Sequence, residues 1–418
     1  MLTSLLISTL ALCLVVSANA IVARDNMIRV PFSKRVNMTR PGLVLKQDQA
    51  RARAIRSREP QKSAKRLLKK AIGSVPVQNQ AVQYVANVGI GTPATTYSLI
   101  IDTGSSNTWV GAGKAFVQTT TSVQTSNLVC ADYSAGTFGG TEFTDTFSLG
   151  DGLAIKAQSF GVASFSQGFE GVDGILGLGP VDLTIGTLAT GSASAPVVVN
   201  EEIPTVTDNL FSQGVISSHE VSISFEPATS LAGTNGELTF GGTDSSKFTG
   251  SITFAPITSI SPSNEFWGIN QSVRYGTSTN ILTTTAGIVD AGMTLILLAT
   301  DAFLRYEAAT GGVLDEATGL LRVTPAQFNT LQSLFFNING VQFELTANAQ
   351  AWPRSLNSAI GGNSNSVYLI VNDLGSPSGE GLDFINGFAF LERFYTVLDT
   401  ANQRVGFANT PFTHATTN

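Results

Sequence analysis

Ile101-Asp102-Thr103-Gly104-Ser105-Ser106-Asn107-Thr108-Trp109-Val110 decides how the rest of this 418-residue chain is read. An apolar run over residues 97–101 delivers a carboxylate to a turn at Gly104, and a second apolar run begins at Trp109. The glycine lets the backbone fold back close to the acid. An acid among apolar flanks is costly to bury unless it is hydrogen-bonded, and Thr103 and Ser105 are the nearest hydroxyl donors. Alone, the stretch reads as an Asp-Gly-type hairpin turn. A second copy decides against that reading. Gly287-Ile288-Val289 delivers Asp290-Ala291-Gly292, followed by Met293-Thr294-Leu295, 188 positions after the first. Each copy has a later apolar partner rich in glycine, Asp173-Gly174-Ile175-Leu176-Gly177-Leu178-Gly179 and Phe384-Ile385-Asn386-Gly387-Phe388. The duplication predicts an all-β, bilobal body with one acid from each lobe and a cleft between them.

Composition agrees. Hydrophobic residues make up 43% of the chain and charged residues only 13%, which suits a β-rich protein with large cores. Short alternating runs separated by Gly, Asn, Asp and Ser read as strands from residues 83–90 through 395–399. Helices are expected only at 204–213, 300–309, 325–334 and within 51–70, with a loop at 357–365.

Charge is divided sharply. Residues 21–72 hold 15 Lys and Arg against 3 Asp and Glu, a net of +12, while residues 73–418 hold 9 against 27, a net of −18. The first 20 residues read as a signal peptide, with an apolar segment over 5–16 and small residues at Ser17-Ala18-Asn19-Ala20. The expected organisation is a signal peptide at 1–20, a basic pro-segment at 21–73 with processing near Lys69-Lys70, an N-terminal β lobe at 74–255 and a C-terminal β lobe at 256–418. A secreted, extracellular monomer follows, without a membrane span. The basic arm covers an acidic body, so a nucleic-acid partner is not expected. Cys13 falls in the signal, which leaves Cys130 alone and excludes an intramolecular disulfide in the mature chain. Sequons stand at Asn37 and Asn270.

Exclusion narrows the chemistry. The chain has two histidines, His219 and His414, too few for a histidine-built zinc site. No G-x-S-x-G elbow, P-loop or complete dinucleotide fingerprint is present. A pair of carboxylates remains. Two acids brought together share one proton, so one can activate a water while the other protonates a carbonyl oxygen, with no metal or cofactor.

Across about residues 77–408 the chain resembles the pepsin-like aspartic peptidases, and more closely their secreted fungal branch. The motifs are Tyr84-Val85-Ala86-Asn87-Val88-Gly89-Ile90-Gly91-Thr92-Pro93, the Asp102 stretch, residues 173–179, 236–244, Phe390-Leu391 with 395–399, and 404–407. The resemblance implies catalytic Asp102 and Asp290, supported by Thr103, Gly104, Ser105 and Gly292. It also implies a flap carrying Tyr133, Gly136 and Thr137 over the cleft, with Tyr133 hydrogen-bonding near Trp109. Polypeptide substrates in extended conformation and an inhibitory pro-segment belong to the same expectation. Two departures stand out. Ser134 follows Tyr133 where the family usually has Gly, and Ala291 and Met293 stand where it has hydroxyl residues. Losing those donors raises the alternative of a weakened or non-catalytic pepsin-fold binder, and predicts a raised Asp290 pKa.

Overall fold

The computed structural model describes residues 27–36, 44–57, 82–133, 136–150, 154–192, 195–227 and 232–417. The expected signal peptide, the Lys69-Lys70 processing region and the Asn37 sequon lie outside them. Strands dominate the described chain, and the fold is the bilobal β architecture read from the repeat.

Each lobe builds the same motif around its acid. Strand β3 (Thr95–Asp102), preceded by β2 (Val82–Ile90), runs parallel to Gly174–Gly177, with Asp102 opposite Gly177. Trp109–Val110 then returns antiparallel to the same strand. In the second lobe Thr279–Val289 runs parallel to Phe384–Asn386, and Ile296–Leu298 returns antiparallel to it. All these strands are buried on both faces at their acid ends, which is why the sequence there is continuous apolar residues rather than an alternation. Backbone bonds fix each turn to its partner strand: Leu178 N donates to Asp102 O at 2.8 Å, and Asp290 N to Asn386 O at 3.1 Å. Trp267 Nε1 donates to Leu178 O at 2.9 Å and ties one half to the other.

The described parts of the basic N-terminal segment belong to the core. Strand β1 (Ile28–Val36) lies between β2 and Ala232–Phe240, antiparallel to both, so it is an interior strand of the large sheet. Phe32 packs edge-on against Tyr84 and Phe225. Helix α1 (Val44–Arg56) follows. Its buried residues, Val44, Gln47, Asp48, Arg51, Ala52 and Ile55, recur at helical spacing on one face. The expected helix over 51–70 therefore starts earlier, and residues from 58 lie outside the described chain. Docking of this buried face stabilises the described helix.

Two other expectations are corrected. The helix predicted over 325–334 covers only Pro325–Asn329, held by a reciprocal cap between Thr324 and Gln327. Leu334–Ile338 is a strand, and its buried Leu334, Phe336 and Ile338 alternate with more open positions. Part of the predicted loop at 357–365 is a 3₁₀ helix, Arg354–Ile360, which ends at Gly361 in the left-handed region (φ 77°).

Candidate active site

The two turns meet at the junction of the lobes. Asp102 and Asp290 are both essentially inaccessible to solvent, and both reach the same guanidinium. Glycine is required at the approach: a Cβ on Gly104 would lie 2.5 Å from Asp290 Oδ2, and one on Gly292 would lie 2.6 Å from Asp102 Oδ1. Asp102 accepts from Gly104 N at 3.0 Å and from Ser105 Oγ at 2.5 Å, on different oxygens. Asp290 accepts from Gly292 N at 2.8 Å.

Thr103 ties the turns together. Its Oγ1 accepts from Ala291 N at 2.8 Å and lies 3.4 Å from Val289 O as donor. Ala291 has no hydroxyl to return that contact, so the grip is one-sided. A Thr103→Val variant keeps the shape and leaves the buried Ala291 N–H unpaired, at a cost of about 1–3 kcal/mol. We expect kcat/KM to fall roughly 5- to 150-fold if that cost falls on the reacting geometry. Thr103→Ser should recover most of the loss, and steady-state kinetics on the two variants checks this.

The predicted flap residues lie together on one hairpin, and Tyr133 is near enough to Asp102 to feel its charge. Tyr133 ends the strand Val123–Asp132 and its N–H donates to Gly136 O at 2.8 Å; Thr137 opens the return strand Thr137–Ser148. Ser134 lies outside the described residues. Trp109 stacks on Phe138 (centroids 4.3 Å apart) and meets Phe169 edge-on. Tyr133 belongs to this aromatic cluster, 6.4 Å from Trp109. The Tyr133 hydroxyl and Trp109 Nε1 are both buried. Burial raises the Tyr133 pKa and the Asp102 charge adds to the rise, while hydrogen bonding from Trp109 and Ser105 opposes it.

Sequence reasoning missed the group that fills the space between the acids. Arg51 Nε donates to Asp290 Oδ2 at 2.7 Å and Nη2 to Asp290 Oδ1 at 3.2 Å, while Nη2 also contacts Asp102 Oδ1. Burial alone would lower the Arg51 pKa, but Asp102 and Asp290 outweigh it and hold the guanidinium charged. The Asp290 pKa is raised, with burial the leading cause; Arg51 opposes the rise and Asp102 adds to it. One turn earlier on the helix, Asp48 accepts from Leu295 N at 2.8 Å and from Thr294 N at 3.1 Å. Nothing in the sequence distinguished Arg51 from its basic neighbours except its place on the buried helical face.

Asp48 makes docking of α1 pH-dependent. Its pKa is raised to about 7, by burial first, with Asp290 adding to the rise and the two amides and Arg51 opposing it. A detached helix would return it to the ordinary carboxylate value of about 4. Between those values the docked state binds more protons, so this group's contribution to docking is complete below the window and lost as pH rises through it. Asp48→Asn should flatten that dependence. Hydrogen exchange at the Thr294 and Leu295 amides, compared at about pH 4.5 and about pH 7.5, measures it.

His219 stands away from this chemistry. Its Nε2 pairs with Asp208 at 2.7 Å and its ring stacks on Phe211. Cys130 is buried, and burial pushes its thiol up to about 12. Asn270 is exposed on Gly268–Tyr275, its Oδ1 accepting from Thr258. Among the described residues, no helix is long and apolar enough to cross a membrane.

Two β lobes that each bring an aspartate to a shared junction, under an aromatic-backed hairpin, define the aspartic protease class of fold. Comparison with known proteins agrees: residues 83–410 match the eukaryotic aspartyl protease family, and the chain belongs to it. It is 64% identical over 348 residues to polyporopepsin from Irpex lacteus, a match spanning 83% of this chain and 100% of that protein. Pepsin A from Sus scrofa is 28% identical over 377 residues, 81% of this chain and 84% of that one. The crystal structure of the aspartic proteinase from Irpex lacteus superposes with a TM-score of 0.78 at 56% identity, covering 94% of this chain and 100% of that one. The chain is therefore an aspartic endopeptidase of the pepsin family, similar to polyporopepsin.

Proposed function

We propose that the chain is a secreted zymogen of an acid endopeptidase, in which residues 1–20 direct export and residues 21–73 form an inhibitory pro-segment. In this reading the lobes at 74–255 and 256–418 hold an extended polypeptide between them. Asp102 and Asp290 share one proton and a water; one carboxylate takes the water's proton as its oxygen attacks the scissile carbonyl, and the other protonates the carbonyl oxygen. Thr103, Gly104, Ser105 and Gly292 hold the turns, while Tyr133, Gly136 and Thr137, backed by Trp109, cover the cleft and exclude water.

One observation carries the reading: a single guanidinium from the basic segment lies between both carboxylates. A water shared by the acids and the Arg51 side chain compete for the same oxygens. The docked segment therefore blocks the chemistry, and a protease must shed it to work. The alternative of a non-catalytic binder, raised by Ala291 and Met293, gains no support from relatives named as proteases.

The test is acid incubation of the purified precursor, N-terminal sequencing of the product, and a casein digest with and without pepstatin. Pepstatin-sensitive cleavage that appears only after the segment is lost supports the proposal. A fully matured protein that cuts nothing would sink it.

A further inference from the structure

Helix α1 touches the second lobe beyond the acids. Gln49 Nε2 donates to Asp373 O at 2.9 Å, and Arg56 Nη1 reaches Glu380 Oε2 at 3.3 Å. Both acceptors belong to one stretch of that lobe, residues 373–380. Five helical positions, about 7.5 Å of rise, separate Arg51 at the acids from Arg56 at Glu380.

The loop that presents Glu380 is tied down on both sides of it. Ser378 N and Oγ both donate to Asp301, each at 2.8 Å. Gly379 N donates to Asp383 Oδ2 at 2.8 Å and Glu380 N to Oδ1 at 3.2 Å, and Asp383 itself is fully buried. The backbone at residue 380 is therefore held, while the Glu380 side chain remains 47% exposed. Asp301 is already paired with Arg305 at 2.9 Å, and Asp383 is occupied by the loop amides and the Thr285 hydroxyl, so neither competes for an incoming cation. Among the described residues Arg56 is the only cation within ion-pair distance of Glu380. When α1 leaves, that carboxylate loses its cation and keeps its place.

We propose that Glu380 is a specificity residue of the segment-free enzyme, favouring substrates that carry an arginine or lysine two or three residues from the scissile bond. The inference deepens the endopeptidase reading above and rests on it. An extended peptide advances about 3.3 Å per residue, so two or three residues cover the span that α1 covers between the acids and Glu380. The segment supplies from one helix what a substrate supplies along one strand, a group at the acids and a cation at the rim. The net −18 of residues 73–418 draws basic chains toward the body at longer range.

Exposure sets the size of the preference. Glu380 keeps nearly half its side-chain surface in solvent, so its pairing with a flexible cation is a rim contact of modest strength that salt screens. A preference of roughly two- to fivefold in kcat/KM is expected at low salt.

Peptides carrying arginine or its neutral isostere citrulline, placed at one position at a time on either side of the cleaved bond, test this on the acid-matured protein. At one position the arginine-to-citrulline ratio of kcat/KM should stand at roughly two to five in low salt and shrink toward one in high salt. In Glu380→Gln the ratio should fall to about one, and in Glu380→Lys it should fall below one, with a glutamate peptide now cut faster than its glutamine counterpart. A wild-type ratio of one at every position, or the same ratio in all three proteins, overturns the assignment. Damage to the loop alone would slow both peptides alike and leave the ratio in place. A matured protein that cuts none of the peptides counts against the endopeptidase reading instead. The ratio of Kd values for the same peptides with a reduced scissile bond, measured by calorimetry, then decides for or against Glu380 without turnover.

Discussion

An Arg51→Ala precursor is expected to bind pepstatin near pH 6 before any peptide bond of the segment is cut, where the parent precursor does not. Removing one partner of a buried ion pair leaves uncompensated charge and costs about 3–5 kcal/mol. Here the loss falls on both carboxylates, since Arg51 is bonded to each. In the proposed zymogen Arg51 belongs to the segment that is shed, so the cost weakens docking and leaves the segment-free enzyme unchanged. At about 3 kcal/mol the undocked fraction rises roughly a hundredfold. Arg51→Lys should fall between the two, because an ammonium keeps the charge but lacks the two-pronged guanidinium geometry. Titration of uncut precursor with labelled pepstatin gives the result; equal affinities for parent and Arg51→Ala would remove Arg51 as the inhibitory contact.

The second large effect is expected at Lys34, the other buried cation among the segment's described residues. Its Nζ donates to Glu392 at 2.8 Å, and the same carboxylate oxygen accepts from Tyr84 OH at 2.5 Å. The ammonium also lies 5.3 Å from the Phe388 ring centroid and 5.7 Å from that of Tyr84. Lys34→Met keeps the apolar stem in the sheet and removes the charge, leaving Glu392 buried with only the tyrosine hydroxyl. The penalty is again about 3–5 kcal/mol by the buried-pair argument. The precursor should melt at a lower temperature than the parent, whereas the two matured enzymes, which on the zymogen proposal lack β1, should melt together. Calorimetry before and after acid maturation separates the cases, and an equal deficit in both forms would contradict the assignment of Lys34 to segment anchoring.

Much of the architecture was legible because its signals are local. The Asp-Thr-Gly turn, its weaker copy at Asp290 and the glycine-rich partner strands each advertise a tight backbone approach within a few residues. Read together they imply the repeat. Helix ends were less legible. Leu334-Phe335-Phe336 was assigned to a helix because short apolar runs carry no unambiguous period, and pairing with Gly268–Tyr275 and Val341–Leu345 makes it a strand. Tyr133 lies beside Trp109 as the motif spacing implies. Met293 was conspicuous from the start. Which oxygen it leaves without a donor became visible only with Ser105 and Arg51 in place.

Sequence alone established a protein of two β halves with an aspartate turn in each, and a basic segment set against an acidic body. Those properties follow from covalent order, local turn chemistry and the count of charges. Among the described residues of that segment, tertiary structure decided which basic side chain enters the junction. Arg51 lies there because the register of β1 between two strands and the buried face of α1 carry it past the turns, and Lys34 meets Glu392, 358 positions away, for the same reason. A charge pattern along the chain determines that attraction exists; only packing determines which pair of groups makes it.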